Sequence, residues 1–234
     1  MGDFHSLMPP CSFGAIVRRR YHDLEILHAE CEAKRPRIDA RLADFRRVGR
    51  MPDERLFEEL CFCLLAVQSK ARPSDAAVAA LREAGLLWSG RRPEVASFLR
   101  HRTRFHNHKA AFIVRAREQF FPDGNGVLAE ILNSFTSSKG AREWLVREVD
   151  GLGLKEASHF LRNTGRGEDL AILDRHILRN LIHHAVIRSM PHTLTARRYL
   201  EIEARMERFS RDVEISMAML DLVFWSRETG EIFK

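Results

Sequence analysis

Apolar residues recur at helical spacing along almost the whole chain, and this pattern restricts the fold more than any other feature. The strongest case follows Asp53, where apolar residues fall at i, i+1, i+4, i+5, i+8 and i+9: Leu56, Phe57, Leu60, Cys61, Leu64 and Leu65. This spacing places them on one wide buried face of a helix. We expect Asp53 to cap that helix, which should end near Gln68.

Similar patterns, bounded by Pro, Gly and capping residues, predict helices elsewhere in the chain. They cover 15–33, 38–48 after a break at Pro36, a helix from Pro73-Ser74 to Gly85, one from Pro93 through Leu99, 107–121, 128–135, 142–149 capped by Ser137 or Ser138, 154–163, 174–187, a helix from Thr193 or Thr195 to Phe209, and one capped by Asp212 that ends at Ser226. No segment alternates apolar and polar residues as a half-buried strand would. The sequence therefore predicts an all-α fold of about a dozen helices.

Composition excludes several classes of protein. No apolar run approaches the roughly 20 residues that span a bilayer, and the N-terminus lacks the order of a secretory signal. The four cysteines form no pair of zinc-ligand spacings, and none follows Cys63, which excludes a four-cysteine iron–sulfur site near the C-terminus. We expect a reduced, intracellular chain. The net charge of +6 favours a polyanionic partner.

The segment 150–174 carries the residues that suggest chemistry. A short turn, Gly151-Leu152-Gly153, separates two helical patterns. Glycine permits a positive φ and a close approach of another backbone. The free N–H groups and positive dipole end of the following helix suit a phosphate oxygen. An ordinary helix–helix connection is the alternative interpretation.

Lys155 and Asp174 supply a candidate nucleophile and a candidate carboxylate. Lys155 lies in the first turn after the glycines, where the helix dipole and any burial would favour the neutral amine that attacks an electrophile. Asp174 precedes a strongly apolar helical stripe, so it could cap that helix. A carboxylate held by such a cap could also stabilise oxocarbenium-like charge as a glycosidic bond breaks. Taken singly, Lys155 is also compatible with an ordinary surface lysine, and Asp174 with a purely structural helix cap.

The residues of this segment resemble a known family. Gly151 to Asn163, Ala171 to Leu178 and the ending from Asp221 to Lys234 are similar to the archaeal-type 8-oxoguanine DNA glycosylase/AP lyase family, the compact branch of the helix-hairpin-helix DNA glycosylases. The resemblance implies that Lys155 attacks the sugar C1′ to release 8-oxoguanine, and that the strand is nicked by β-elimination through a Schiff base. It implies Asp174 as the catalytic carboxylate and Gly151 and Gly153 as DNA-binding residues.

The resemblance also suggests which residues read the damaged base. 8-Oxoguanine carries an N–H donor at N7, where guanine has an acceptor, so a carboxylate or carbonyl oxygen there would favour the lesion. We expect base contacts from Asp221, Trp225 and Lys234, with Phe105 as a second stacking surface. Gln68 is expected to enter the duplex as a wedge or to meet the orphaned base. Core packing, a surface charge and a frayed end are the competing interpretations.

Architecture and partners follow from the same resemblance. Residues 58–170, including the hairpin 144–163, should form a helical barrel, while 1–57 and 171–234 fold together, and a DNA-binding cleft lies between the two subdomains. The expected partner is double-stranded DNA containing 8-oxoguanine or abasic sites, bound by a monomer in the cytoplasm at the nucleoid. No metal and no cofactor are expected, with room for a monovalent cation at the hairpin carbonyls.

Two other functions fit the sequence. A non-catalytic helix-hairpin-helix module would bind DNA without using Lys155 or Asp174. A glycosylase/lyase for another damaged base would keep that pair and differ near Trp225, at Val223 and Ser226.

Overall fold

The structure is a computed structural model that describes residues 20–234. Within that range the secondary structure is helical, with no strand, as the sequence predicts. The helices are α1 (Leu24–Val48), α2 (Asp53–Ala66), α3 (Ala71–Glu83), α4 (Leu86–Ser89), α5 (Arg92–Leu99), α6 (His106–Phe120), α7 (Leu128–Asn133), α8 (Ser138–Glu148), α9 (Leu154–Asn163), α10 (Arg175–His183), α11 (Ala196–Asp212) and α12 (Met217–Thr229), with a 3-10 turn at Pro122–Gly124. None of these described helices is both long and apolar enough to cross a membrane. The predicted helical residues 15–19, with Cys11, lie outside the described range.

Helix α2 is the centre of the first half of the fold. All its residues from Leu56 to Ala66 are buried, and it packs against α3, α6, α7 and α9. Cys61 and Cys63 act as small apolar residues there, and burial raises the pKa of both thiols well above its usual value.

The predicted role of Asp53 as the cap of α2 is wrong. Asp53 lies inside the first turn of α2, and its Oδ1 accepts a hydrogen bond from the Ala129 N–H at 2.6 Å. Ala129 lies in the first turn of α7, where backbone N–H groups lack partners within the helix. Asp53 therefore stabilises the start of a different helix and joins α2 to α7.

The predicted break at Pro36 is also wrong, because α1 continues through this residue. Proline in a helix interior removes one hydrogen bond and costs about 3 kcal/mol. Pro36 is on the exposed side, while Leu27 and Cys31 before it and Ile38 and Leu42 after it are buried in one core. Burial of both halves of the helix on that core offsets the cost.

The helix caps of the second half are mostly as predicted. Ser137 caps α8, Asp174 caps α10 and Thr195 caps α11. The predicted cap at Asp212 is wrong, because Asp212 ends α11. Ser216 instead caps α12, accepting from the Met219 N–H at 3.2 Å.

The described residues form two hydrophobic clusters. The first is built from residues between Leu56 and Leu170, and the second from residues between Tyr21 and Phe45 together with residues between Ala171 and Phe224. The beginning and the end of the described chain thus pack together. We keep the sequence ranges 1–57, 58–170 and 171–234 as a proposal for the subdomain boundaries.

A buried ion pair connects the two clusters. Arg142 on α8 contacts Glu203 on α11 through two parallel hydrogen bonds of 2.5 and 2.7 Å. Glu203 also accepts from the Ala171 N–H at 2.9 Å, in the segment that passes from one cluster to the other. A bidentate pair with a third hydrogen bond fixes orientation as well as distance. It therefore fixes α8, α11 and the segment at Ala171 relative to one another.

Candidate active site

A cavity of about 690 Å³ lies where the two clusters meet, and five of the predicted site residues line it. We call it the boundary cavity. On the side of the first cluster it is bordered by Ala66 and by residues 69–73. The other side is formed near the starts of α9 and α10, in α12 and in the C-terminal tail, by residues that include Lys155, Asp174, Asp221, Trp225 and Lys234. These five residues are up to 79 positions apart in sequence, from Lys155 to Lys234, so folding brings them together.

The predicted hairpin is present between α8 and α9. Its turn is closed by a hydrogen bond from the Leu152 N–H to the Val149 carbonyl at 3.2 Å. Gly151 has a φ of 88°, and a side chain there would collide with the ring of Phe112. Gly153 does not use a positive φ: its backbone is extended, with φ −94°. Only the first glycine is therefore required by backbone conformation.

Lys155 lies in the first turn of α9 and faces the cavity with a partly exposed side chain. Its Nζ is 3.2 Å from Oε1 of Glu156, and the lysine side chain is 29% exposed. The ammonium group thus has a carboxylate within ion-pair distance and remains accessible. Glu156 was not identified from the sequence, where it reads as an ordinary charge in the first turn of a helix.

Three residues of α9 share the face that lines the cavity. Lys155, His159 and Arg162 follow each other at i, i+4 and i+7, and all three border the boundary cavity. The helical spacing could have identified this face in the sequence. His159 is buried edge-on against Phe62, and burial, with help from nearby cations, lowers its pKa well below the usual value. It is therefore neutral at physiological pH.

Asp174 caps α10, and its side chain borders the same cavity. Its Oδ1 accepts hydrogen bonds from the N–H groups of His176 and Ile177, each at 2.8 Å. Two backbone donors fix the carboxylate group in one orientation. The side chain is neither buried nor fully exposed. Asp174 thus combines a rigid carboxylate with access to the cavity that Lys155 lines.

A second carboxylate lies deeper in the cavity wall. Asp221 on α12 is only 5% exposed, and its Oδ2 is 3.1 Å from Arg162. Burial, with a smaller contribution from the Asp174 carboxylate, raises the pKa of Asp221 to about 6, although Arg162 and Lys155 oppose the shift. Arg162 in turn lies over the ring of Phe45, 4.8 Å from its centre. The sequence did not indicate this buried pair.

The C-terminal tail docks against the first cluster and closes one side of the cavity. The Nζ of Lys234 contacts Asp75 at 2.6 Å and Glu59 at 3.0 Å, and it lies over the ring of Phe62. The Lys234 side chain is therefore an anchor that holds this part of the tail against the first cluster.

The tail has a second point of attachment. Arg72 pairs with Glu231 at 2.6 Å and lies 4.6 Å from the centre of the Phe233 ring. The tail that the sequence interpreted as either base-reading or frayed is thus bound to the body of the protein at two points.

Phe105 does not line the boundary cavity, and its role as a second stacking surface stays a prediction. It is 49% exposed and precedes α6 with a left-handed backbone, φ 56°. It borders a separate depression of about 220 Å³ together with Gln68, which also has a left-handed backbone at φ 50°. The residues next to Phe105 in sequence could not show which depression it would border.

A basic groove adjoins the boundary cavity. The groove, of about 940 Å³, is lined by Gln68, by Asp174 as the one acidic residue, and by six Lys or Arg side chains: Lys70, Arg100, Arg102, Arg104, Lys155 and Arg175. Positive charge with a single carboxylate suits a phosphate backbone. The basic residues between Arg100 and Arg104 could have indicated this groove in the sequence, although charge runs commonly form solvated surfaces.

Potential metal ligands do not converge in the described part of the chain. Within residues 20–234, no group of three or more His, Cys, Asp or Glu side chains is arranged to hold a metal ion.

Comparison with known proteins gives consistent matches. A family model described as 8-oxoguanine DNA glycosylase matches residues 38–215. The 8-oxoguanine DNA glycosylase/AP lyase of Fusobacterium nucleatum is 39% identical over 217 residues, covering 92% of this chain and 97% of that protein. Its counterpart in Methanocaldococcus jannaschii is 38% identical over 201 residues, covering 84% and 91% respectively.

Solved structures agree with the sequence matches. The M. jannaschii 8-oxoguanine glycosylase/lyase, crystallised with a 15mer DNA containing 8-oxoguanine, matches with a TM-score of 0.78 at 34% identity, covering 89% of this chain and all of that one. The 8-oxoguanine DNA glycosylase of Thermotoga maritima matches with a TM-score of 0.77 at 31% identity, covering 95% of this chain. Both support the helix-hairpin-helix fold.

Proposed function

Because the chain belongs to the 8-oxoguanine DNA glycosylase family, we propose that it excises 8-oxoguanine from double-stranded DNA and cleaves the strand at the resulting abasic site. It is a DNA glycosylase and AP lyase of base excision repair. The observation that carries the proposal is that Lys155 and Asp174 line one cavity, which opens beside a basic groove.

The proposed reaction begins with attack of the Lys155 Nζ on the sugar C1′. The ammonium first loses a proton to a nearby carboxylate, and Glu156 is 3.2 Å away. The C1′–N9 bond then breaks, and the base leaves with the bonding electrons and takes up a proton. Asp174, held by two backbone N–H groups, stabilises the positive charge that develops on the sugar.

Strand cleavage follows from the covalent intermediate. The nitrogen now bonded to C1′ loses one of its two protons, and its lone pair then breaks the C1′–O4′ bond while O4′ takes up a proton. The product is a protonated Schiff base between Lys155 and C1′. Removal of a proton from C2′ then expels the 3′ phosphate, which breaks the C3′–O bond and nicks the strand. Hydrolysis of the imine returns the free lysine.

Recognition of the base is proposed to occur in the boundary cavity. Trp225 offers a stacking surface, and the Asp221 carboxylate and the main-chain oxygen atoms of Lys234 are candidate acceptors for the N7–H of 8-oxoguanine. Normal guanine presents a lone pair at N7 and would be repelled. The anchored Lys234 side chain supports this role, because it fixes the position of the backbone that would contact the base.

DNA contacts are proposed along the groove. The backbone around Gly151 and Gly153, at the positive end of α9, would bind a phosphate. Gln68, which borders the groove, would enter the duplex where the lesion has been extruded. The protein would act as a monomer on chromosomal DNA in the cytoplasm.

The proposed bond-breaking steps use protein side chains and require no divalent metal ion or cofactor. The carbonyl oxygens of the tight hairpin turn are the donor type that a monovalent cation prefers, so such an ion is proposed as an aid to phosphate binding there. We expect EDTA to leave excision unchanged and replacement of potassium by tetramethylammonium to weaken DNA binding. Loss of excision in EDTA would contradict the metal-free reaction.

The function is tested by incubating the protein with matched duplexes that carry 8-oxoguanine, guanine or another oxidised base at one position. We expect release of 8-oxoguanine and a strand nick, and no release of guanine. Preferential release of a different base would show that the enzyme acts on another lesion. Binding without release of any base would favour a non-catalytic DNA-binding module.

A further inference from the structure

Lys109 on α6 is a buried lysine that the proposed reaction does not use. It is 2% exposed, and its Nζ donates to the Leu65 carbonyl at 2.7 Å, to Ser69 Oγ at 2.9 Å and to Thr103 Oγ1 at 2.8 Å. An ammonium group has three N–H donors, so these contacts use all of them. The three partners are neutral oxygen atoms.

Lys109 joins two segments that are far apart in sequence. Leu65 and Ser69 belong to the end of α2 and the loop after it, whereas Thr103 belongs to the loop between α5 and α6. The two loops also touch directly, because Ser69 Oγ and Thr103 Oγ1 are 3.2 Å apart. We call them the 67–70 loop and the 100–105 loop.

Both loops form walls of the basic groove. The 67–70 loop contributes Gln68, Ser69 and Lys70, and the 100–105 loop contributes five residues from Arg100 to Arg104. The distance between these loops therefore sets the width of the groove where Gln68 lies. Lys109 is at the back of both loops and connects them.

The loop backbones are in conformations that need such support. Gln68 and Phe105 both have positive φ, 50° and 56°, although neither is glycine. Residues of this kind persist only where the surrounding contacts hold them, and they cluster at functional sites. The hydrogen bonds from Lys109 are made one residue after Gln68 and two residues before Phe105.

A lysine at position 109 does more than fill space in the core. Burial, together with the nearby Arg104 cation, lowers the pKa of Lys109 to about 8. An apolar side chain such as methionine would fill similar space without the cost of burying an ammonium. What methionine cannot supply is a set of three directed hydrogen bonds to two loops.

We propose that Lys109 is a positioning residue that holds the 67–70 and 100–105 loops at the spacing Gln68 needs to enter the duplex and extrude the damaged base. The inference rests on the proposed function. Lys109 does not line the boundary cavity that holds Lys155 and Asp174, so the covalent steps should not depend on it. Substitution should therefore impair the reaction on duplex DNA, in which the base must leave the helix, and spare the reaction on a strand that needs no extrusion.

The test compares two substrates with the full-length Lys109→Met variant. We expect single-turnover excision of 8-oxoguanine from a duplex to fall by about 100-fold, the size of effect that a misplacement of about 1 Å produces. Cleavage of an abasic site in a single-stranded oligonucleotide should match that of the unaltered protein. The control is Lys139→Met, since Lys139 is a half-exposed lysine paired with Glu207 outside the groove; it should leave both rates unchanged.

The outcomes separate this inference from the proposed function. If the unaltered protein releases no 8-oxoguanine, the proposed function fails. If it does and Lys109→Met keeps full duplex activity, or loses both activities equally, the positioning role is overturned. Should Lys109→Met fail to fold, a double variant that combines Ser69→Ala with Thr103→Val can be used instead. It removes two of the three hydrogen-bond acceptors of Lys109 and is judged by the same outcomes.

Discussion

Asp174 shows how one residue can have a structural and a chemical role. Its Oδ1 takes both backbone hydrogen bonds at the start of α10, and the side chain borders the cavity next to Lys155. The cap would hold the carboxylate still, and the negative charge would act on the sugar. The two roles depend on different properties, which makes them separable by substitution.

Asp174→Asn is expected to keep the fold and lose the activity. Asparagine is as good a helix cap as aspartate, so the free energy of unfolding should change little, whereas excision should fall by about 10²–10³-fold with the charge. Asp174→Ala should lose the activity and also about 1 kcal/mol of stability. Urea unfolding and single-turnover excision measure the two effects. Full activity of the Asp174→Asn enzyme would show that Asp174 acts only as a helix cap.

Residues that are close in sequence were easier to predict than their distant partners. The turn of segment 150–174 and the spacing from Lys155 to Asp174 were visible in the sequence, as was the cap at Asp174. The anchors of Lys234 were not, because Asp75 lies 159 positions away and nothing local marks it as a partner. The position of Phe105 outside the boundary cavity was not visible either, because its neighbours in sequence do not define its neighbours in space.

At the scale of elements, the hairpin depends on one glycine. Gly151 combines a positive φ with the absence of space for a side chain beside Phe112. Gly124, in the 3-10 turn, has a similar φ of 81°, but a side-chain carbon added there would have no atom within 4 Å. A comparison of substitutions at Gly124 and Gly151 therefore distinguishes the cost of a left-handed backbone from the cost of a steric collision.

Gly151→Ala is expected to destabilise the protein more than Gly124→Ala does. A left-handed alanine costs about 1 kcal/mol at either position, and the collision with Phe112 adds to it only at Gly151. Because the turn presents the phosphate-binding backbone, only Gly151→Ala should weaken binding to an undamaged duplex. Thermal unfolding measures the stability of the two variants, and fluorescence anisotropy measures their affinity for DNA. Equal DNA affinity for both variants would show that the hairpin does not contact DNA.

The residue that follows α10, His184, is a buried histidine that couples folding to pH. His184 is fully buried and stacks between Phe209 and Phe224, with Nδ1 donating to the His22 carbonyl at 2.7 Å and Nε2 accepting from Arg227 at 2.8 Å. Burial lowers the pKa of His184 to about 4. The unfolded chain, with an ordinary histidine, then binds more protons than the folded protein below about pH 6.5.

Acid is therefore expected to destabilise the fold through His184. Its contribution is fully present above pH 6.5 and is lost as the pH falls toward 4, amounting to about 2 kcal/mol between pH 7.5 and pH 5. Urea unfolding of the natural protein and of His184→Gln at both pH values measures this difference. An identical pH dependence in the two proteins would contradict the assignment.

Helix boundaries were predictable wherever the signal was local. The caps at Ser137 and Thr195 were among the expected residues, because a capping oxygen reaches only two or three residues along the chain. Pro36 and Asp53 were misjudged because tertiary contacts outweighed local preference. Pro36 is tolerated because α1 is buried on both sides of it, and Asp53 stabilises α7, a helix about 75 residues later in the chain.

At the scale of the whole molecule, the tail joins the end of the chain to the first hydrophobic cluster. Lys234 contacts Glu59 and Asp75, and Arg72 contacts Glu231 and Phe233. Arg72, Glu231 and Lys234 thereby form part of the wall of the boundary cavity that Lys155 and Asp174 also line. The tail should therefore matter for holding a base and matter little for bond breaking at an abasic sugar.

Deletion of Phe233 and Lys234 is expected to separate the two activities. Excision of 8-oxoguanine should fall by roughly 10–100-fold, the equivalent of losing one or two hydrogen bonds to charged groups, while cleavage of a plain abasic site continues. Parallel assays on the two duplexes provide the comparison. An equal loss on both substrates, or none on either, would exclude base recognition by the tail.

The central claim is that Lys155 forms the covalent bond to DNA, and borohydride trapping tests it most directly. Reduction of the Schiff base should give a stable protein–DNA adduct from the natural protein and an 8-oxoguanine duplex. Lys155→Gln should bind the same duplex and give no adduct, whereas Lys139→Gln, altered outside the cavity, should give the full amount. A persistent adduct in Lys155→Gln would place the nucleophile elsewhere and contradict the account.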